Sequence, residues 1–335
     1  MHYLQAPGMN FNKRVFVDAD FTGANFQRSL MALANFERAS LYCADLREVD
    51  ARGANFSCAD IRGVSLREAN LAGANFDDAD MRSAILMRAD AKGGMKLAGR
   101  SADVGSSDGN VSFGVDFTNC SMKRVNLSNA KLAGANLSGA LLQGANLAGA
   151  DLTGSNLDGA VLTGVDVNTL RIDSSALRNC LLDPSADAQS RAADLLSRLA
   201  AAERWIASNG SDGSPASLDD EDLRPLGLAL QGRKLTAMSA RRVCAMGVSF
   251  VGAQLQGANF EGADLRDADF SDTDLRGVSF RGANLWHAQF KNADIRPLSL
   301  TKAGAMSVNL TDAQFAEGCF ANTLNGAPVK TTEAA

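Results

Sequence analysis

The chain has 335 residues, a net charge of −5 and a hydrophobic content of 46%. The nearly balanced charge excludes a strongly basic nucleic-acid binder, and the hydrophobic content excludes a disordered chain. The six Cys form no CxxC or short metal-ligand spacing, so we expect reduced thiols and neither a metal nor a cofactor. No apolar run approaches the ~20 residues of a membrane span, and we expect a cytoplasmic protein.

A period of five residues runs through most of the chain. Each unit has a large apolar residue, here called the centre, and a small residue two places before it. Centres recur over 11–91, 117–182 and 230–320, and 15 of the 16 Phe lie on them. An α-helix has a period of 3.6 and a flat strand a period of 2, so neither explains this spacing.

A second and longer period, of twenty residues, separates many of the phenylalanines. Because twenty is four times five, this period predicts coils with four sides and equivalent residues stacked on successive coils. The offset of ten between Phe250 and Phe260 predicts two ladders on opposite sides of the tube, the second continuing through Leu300 to Phe320. The predicted core ladders are Phe16, Phe36, Phe56 and Phe76, then Phe250, Phe270 and Phe290, and finally Phe260 and Phe280.

These units have a specific form, with Ala-Asn-Phe at 24–26, Ala-Asp-Leu at 44–46 and Ala-Asn-Leu at 135–137. They resemble the pentapeptide-repeat family, whose unit is A-(D/N)-L-x-x. The resemblance covers about three quarters of the chain. It implies an all-β solenoid, a right-handed quadrilateral β-helix in which the centre and the small residue point inward. Gly at the last place of many units suits the corners of such a coil.

Breaks in the period define the predicted domains. We predict an N-terminal β-helix over 1–182 with a loop at 92–115, which is either a tolerated insertion or a binding loop. A helical insert and flexible linker are expected over 183–226. A C-terminal β-helix follows over 227–322, and residues 323–335 form a disordered tail.

The insert contains one amphipathic helix, predicted over 185–208. We expect this helix to be a lid on the open coil at Leu182, or alternatively a partner-binding helix. Ser217 followed by Asp220 resembles a capping box and predicts a short helix to about Leu223. The apolar stripe of the first helix consists of Ala192, Leu195, Leu196, Leu199, Ala202 and Ile206.

Sequence motifs for catalysis are lacking. The chain has no phosphate-binding loop, dinucleotide fingerprint, HExxH or GxSxG. Adjacent carboxylates such as Asp77 and Asp78 are interpreted as solvated side chains of the outer wall that also bond neighbouring backbone. We therefore predict that the protein is not an enzyme.

Outward side chains that recur with the longer period form ladders on the surface. Met246, Arg266, Trp286 and Met306 are predicted to occupy equivalent places, with His287 beside Trp286. Aromatic residues, Met and Arg are enriched at interfaces, so these five residues form the candidate interaction patch. The alternative is that the helical insert or the preceding domain covers this side.

Two functions are compatible with this surface. One is a scaffold or interaction module for an unknown protein partner, without direct nucleic-acid binding. The other follows from the resemblance, because some pentapeptide-repeat proteins imitate DNA and protect type II topoisomerases such as gyrase against quinolones or toxins. The predicted coils are nearly neutral, with the acidic excess in 183–226, whereas a DNA mimic needs a strongly negative rod. A weakly basic stripe is predicted at Arg241, Arg242, Arg281 and Lys302.

Overall fold

The computed structural model describes residues 2–82, 84, 115–170, 172, 174–300, 304–316 and 318–324. The chain divides into two compact units, Met1–Asp183 and Pro184–Ala335. Residues 92–114 of the loop predicted over 92–115, and residues 325–335 of the predicted tail, lie outside the described residues.

The first unit is a solenoid in which equivalent residues are twenty positions apart in the chain. Four parallel bridges in succession begin at Gln5, Asn10, Val15 and Asp20, and each joins a residue twenty positions later. The N–H of most centres donates to a carbonyl of the next coil, as Phe36 does to Asn55 at 2.6 Å. The coil length predicted from the phenylalanine spacing is confirmed.

The coil continues across the break in the repeat. Asn70 bridges Asp116 and Asn75 bridges Ser121, so these partners are separated by more than two coil lengths of chain. Residues from 116 onward therefore form the coil that follows residues 70–80, in a new phase of the five-residue period. This agrees with the predicted insertion.

The centres and the small residues form the core of each unit. The rings of Phe36, Phe56 and Phe76 are buried and stacked, with centroid separations of 5.2 and 4.9 Å. The ladder Phe250, Phe270 and Phe290 has separations of 4.9 and 5.3 Å, and Phe260 stacks on Phe280 at 5.7 Å. Phe16 continues the first ladder at 5.0 Å from Phe36. These predicted ladders are confirmed.

The turns of the coil need a left-handed backbone at the place two residues after a centre. Gly63 has a φ of 66° there, and glycine adopts this conformation without a steric penalty. The same place accepts other residues, such as Arg28 with a φ of 61°. The first unit ends differently, in two short 3₁₀ helices at Val167–Thr169 and Ser174–Leu177.

One α-helix, α1, covers Ala186–Ala207, and Ser185 caps it by accepting a hydrogen bond from the N–H of Ala188 at 3.1 Å. The predicted helix is thus confirmed. Its predicted role as a lid at Leu182 is wrong, because Leu195 and Leu199 belong to the buried core of the second unit. After the helix the chain turns back, and the N–H of Asp212 donates to Ser208.

The second solenoid begins earlier than predicted. Ser217 bridges Ser239 and Asp222 bridges Cys244, so the first coil starts near 217 instead of 227 and is two residues longer than the coils that follow. The predicted helix from Ser217 to Leu223 is wrong. The local structure is a coil wall followed by a 3₁₀ turn at Arg224–Leu226.

A two-stranded hairpin interrupts the second solenoid. Strands β1, Leu298–Leu300, and β2, Gly304–Met306, pair antiparallel. Across it, Ser279 bridges Asn309, so the hairpin adds ten residues to the usual twenty between coils. Phe320 consequently packs on Phe290, with the ring centroids 4.4 Å apart. The prediction that Phe320 continues the ladder of Phe260 and Phe280 is therefore wrong.

Candidate interaction surface

Aspartate and arginine pairs line the outer walls of both units. The Asp lies just before a centre and the Arg just after it, so both side chains point outward from one strand. In one pair the guanidinium of Arg62 donates two hydrogen bonds to Asp60, at 2.8 and 2.6 Å. The same arrangement occurs at Asp45–Arg47, Asp50–Arg52, Asp80–Arg82, Asp222–Arg224, Asp264–Arg266, Asp274–Arg276 and Asp294–Arg296.

These carboxylates also fix the backbone at the turns. Asp60 accepts the N–H of Arg62 at 3.3 Å, and Asp20 accepts that of Thr22 at 2.9 Å. The prediction that wall aspartates bond neighbouring backbone is confirmed. Sequence reasoning missed the pairing with Arg, although Asp-x-Arg is spelled out in the repeats. A bidentate pair of this kind has defined geometry and neutralises the wall locally.

The acidic cluster at the start of the second solenoid is paired in the same way. Asp219 contacts Arg241 at 2.6 Å and Asp220 contacts Arg242 at 2.7 Å. The buried carboxylate of Glu221 accepts hydrogen bonds from two arginines of α1, Arg191 at 2.6 Å and Arg198 at 3.1 Å. The local excess of acid is therefore compensated within the unit.

The predicted basic stripe is largely neutralised by the same contacts. Arg241 and Arg242 pair with the aspartates described above, and Arg281 lies 3.7 Å from Glu261. Lys302 lies outside the described residues. Acid and base alternate from coil to coil on this side, so it offers no continuous field of one sign among the described residues.

Acidification is expected to destabilise the fold. Donation by Arg52, Arg62 and Arg296 lowers the pKa of Asp50, Asp60 and Asp294, respectively. A carboxyl whose pKa is lower in the folded state stabilises the fold above its unfolded pKa of about 4, and this contribution is lost as the pH falls through the folded pKa.

We therefore expect the melting temperature measured by circular dichroism to be nearly constant between about pH 6 and 8 and to drop by about pH 3. Equal melting temperatures at neutral and acidic pH would show that these pairs do not stabilise the fold.

Three residues of the candidate patch share one wall. Cys244 bridges Asp264, and Asp264 bridges Asn284, which places Met246, Arg266 and Trp286 on successive coils. We call this surface the Trp286 wall. It also includes His287, whose ring centroid lies 6.2 Å from that of Trp286.

Burial separates the members of the Trp286 wall. Met246 is 7% exposed and Arg266 is 5% exposed, and Arg266 is held by Asp264 at 2.6 Å. Trp286 and His287 are half-buried. Met246 and Arg266 thus have little surface to offer a partner, and the accessible part of the wall consists of Trp286 and His287.

Met306 is not part of this wall, and its predicted place is wrong. The hairpin shifts the chain by ten residues, so Asn284 is bridged by Gln314 and the place after Trp286 falls on Ala316. Met306 instead lies on β2, where its Cε is 2.7 Å from the position that a Cβ on Gly277 would occupy. On this wall the large indole of Trp286 is therefore followed, on the next coil, by the small side chain of Ala316.

The described residues contain no group of three or more His, Cys, Asp or Glu that could hold a metal ion. All six cysteines are unpaired thiols, as predicted. Among the helices of the described chain, none combines the length and the apolar character needed to cross a membrane.

Comparisons with known proteins agree with this repeat architecture. The family model described as pentapeptide repeats (8 copies) matches six overlapping or separate ranges of the chain, 19–57, 54–90, 113–147, 140–168, 246–282 and 258–296. No curated protein sequence matches.

Solved structures of the same type are similar to the chain, with low superposition scores. HetL from Nostoc sp. PCC 7120, a pentapeptide repeat protein involved in heterocyst differentiation regulation, is 18% identical, with 93% of this chain and 87% of HetL covered and a TM-score of 0.27. Full-length QnrB1, a plasmid-mediated fluoroquinolone resistance protein, is 16% identical over 95% of this chain and 93% of its own, with a TM-score of 0.20. A pentapeptide repeat protein of the Arabidopsis thaliana thylakoid lumen is 33% identical over 25% of this chain and 66% of its own, with a TM-score of 0.18.

Because the family model matches more than half of the sequence, the chain belongs to the pentapeptide repeat family.

Proposed function

We propose that the protein is a non-enzymatic interaction scaffold and that the Trp286 wall binds a protein partner. This proposal rests on one observation. Trp286 and His287 are half-buried, and the equivalent position on the next coil carries the small residue Ala316. A flat indole next to a small residue offers a shallow apolar recess, and Trp is among the residues that contribute most to binding at interfaces.

The fold supports this role by holding the wall rigid. Four bridges in each repeat of twenty residues support a four-sided, quadrilateral coil in both solenoids. Arg266 is fixed by two hydrogen bonds to Asp264 one coil before Trp286, and the N–H of Trp286 itself donates to Asn284 at 3.3 Å. A surface held in this way loses little conformational entropy on binding.

We do not extend the proposal to a DNA mimic. Such a surface needs a high density of unneutralised negative charge along its length. Here the acidic residues 219–222 are each paired with arginine, and the eight Asp-x-Arg pairs described above reduce the negative charge of the walls further.

Replacing Trp286 by alanine is expected to weaken partner capture by about tenfold or more, since a central Trp commonly contributes about 2 kcal/mol or more at an interface. The melting temperature should change by only a few degrees, because the side chain is outside the core. Affinity capture from the native extract with wild-type and Trp286→Ala protein, followed by quantitative mass spectrometry, measures the effect. Arg281→Ala, an exposed change on a neighbouring side, is the matched control. Capture that is equal for wild type and Trp286→Ala would remove this wall from the proposal.

A further inference from the structure

A row of backbone hydrogen bonds is interrupted at the end of the first solenoid. In the preceding coils the N–H of a centre donates to a carbonyl of the next coil, as Leu137 does to Asn156 at 2.7 Å and Leu142 to Val161 at 2.8 Å. In the last coil Leu162 continues the pattern, to Leu181 at 2.8 Å. The N–H of Leu157 has no hydrogen-bond partner among the described residues.

The cause lies in the segment that would form the next strand. Ala176 stands where the partner of Leu157 is expected, but it belongs to the 3₁₀ helix Ser174–Leu177 and forms no bridge to the coil. The helix leaves a gap between itself and the edge of the solenoid. Leu157 is only 2% exposed. A buried N–H without a partner is rare in folded proteins and is energetically costly.

Leu157 lines this gap. A groove of about 520 Å³ is lined by Leu152, Thr153 and Ile172, and an adjoining space of about 170 Å³ is lined by Leu157 and Asp158. The two share Ser155, Ser175 and Ala176. The groove is thus bordered on one side by a strand edge with an unused donor and on the other by a short helix.

We propose that this groove binds an extended segment of a partner protein, which adds a parallel strand to the last coil. One residue of the bound segment would make two hydrogen bonds to this edge. Its carbonyl would accept from the N–H of Leu157, and its own N–H would donate to the carbonyl of Ser155. Asn156 makes this second contact one coil earlier, where it donates to Ala135 at 2.9 Å. Addition of a strand to an edge with unpaired backbone groups is an established mode of peptide recognition.

The lining also defines the character of the segment. It contains the hydroxyls of Thr153 and Ser155, the apolar side chain of Ile172 and the carboxylate of Asp158, and its described members include no basic residue. The carboxylate of Asp158 would repel an acidic segment. The groove favours a neutral segment with small polar or aliphatic side chains, and this second site is independent of the Trp286 wall.

The test uses a fluorescein-labelled peptide with the sequence ANLAGADLTG, identical to residues 145–154, whose repeat spacing matches the coil. We expect saturable binding by fluorescence polarisation, and protection of the amide of Leu157 in hydrogen exchange. A peptide with proline in place of its Asn and Asp cannot donate at these places and should bind at least about tenfold more weakly.

Protein variants locate the binding. Ala176→Trp fills the groove and should reduce affinity by about tenfold or more, whereas Ala148→Trp, an exposed position outside it, should not. Absence of binding by the wild-type protein up to about 1 mM would overturn the proposal. So would binding that leaves the amide of Leu157 unprotected. The exchange measurement uses the wild-type chain and does not depend on how the variants fold.

Discussion

Replacing Phe56 by aspartate is expected to unfold the first solenoid. The ring of Phe56 is fully buried between those of Phe36 and Phe76, at centroid separations of 5.2 and 4.9 Å. An aspartate at this place would bury a charge without a partner, in addition to removing the stacked ring. Even the milder change Phe56→Ala should lower the free energy of unfolding by about 3–5 kcal/mol.

Thermal and denaturant melts followed by circular dichroism measure this effect. The exposed neighbour Cys58, changed to serine, is the matched control and should leave the melt unchanged within about 0.5 kcal/mol. A wild-type melt for Phe56→Asp would mean that position 56 does not face the core and that the five-residue frame is wrong.

The second large effect is expected at the helix that covers the first coil of the second unit. Leu199 of α1 is completely buried in the core that also contains Leu218 and Leu223. Leu199→Ala should therefore cost about 2–5 kcal/mol of stability. Leu196, on the same helix and also in the predicted apolar stripe, is 37% exposed, and Leu196→Ala should cost far less.

The pair of leucines separates packing from helix propensity, because both changes place the same residue in the same helix. Urea unfolding followed by tryptophan fluorescence reports on this region directly, since Trp205 lies in α1. Equal effects of the two changes would contradict the packing of the helix on the second solenoid.

Much of this fold could be predicted from the sequence because its physical signals are strictly periodic. Inward places accept only large apolar or small residues, so phenylalanines mark the centres and their longer spacing reveals the coil. The break after 91 is also visible, because the insertion there shifts the phase of the period. Helix α1 is recognisable from its apolar stripe and its capping serine.

The hairpin β1–β2 escaped the same reasoning for a simple reason. The insertion adds ten residues, which equal two units, so the five-residue phase is unchanged on either side. Only the pairing of Ser279 with Asn309 reveals the extra length. This single insertion moved Met306 out of the candidate patch and placed Phe320 on Phe290.

The target of the helix could not be read from the sequence either. An apolar stripe predicts that a helix is buried but not which coil it covers. The contacts of Glu221 with Arg191 and Arg198 join residues 30 and 23 positions apart, and the local pattern contains no sign of them. The Asp-x-Arg pairs, in contrast, could have been predicted from the sequence. The Asp and the Arg both point outward from the same strand, so their side chains are expected to meet.

The most direct test of the proposed function is photo-crosslinking from the Trp286 wall. A benzoylphenylalanine is placed at 286 and, in separate proteins, at Arg281 and Thr311, two positions on another side of the coil. The scaffold proposal predicts that irradiation in the native extract gives one dominant protein adduct from position 286 and little from the other two. Adducts of equal yield from all three positions, or none from 286, would contradict it.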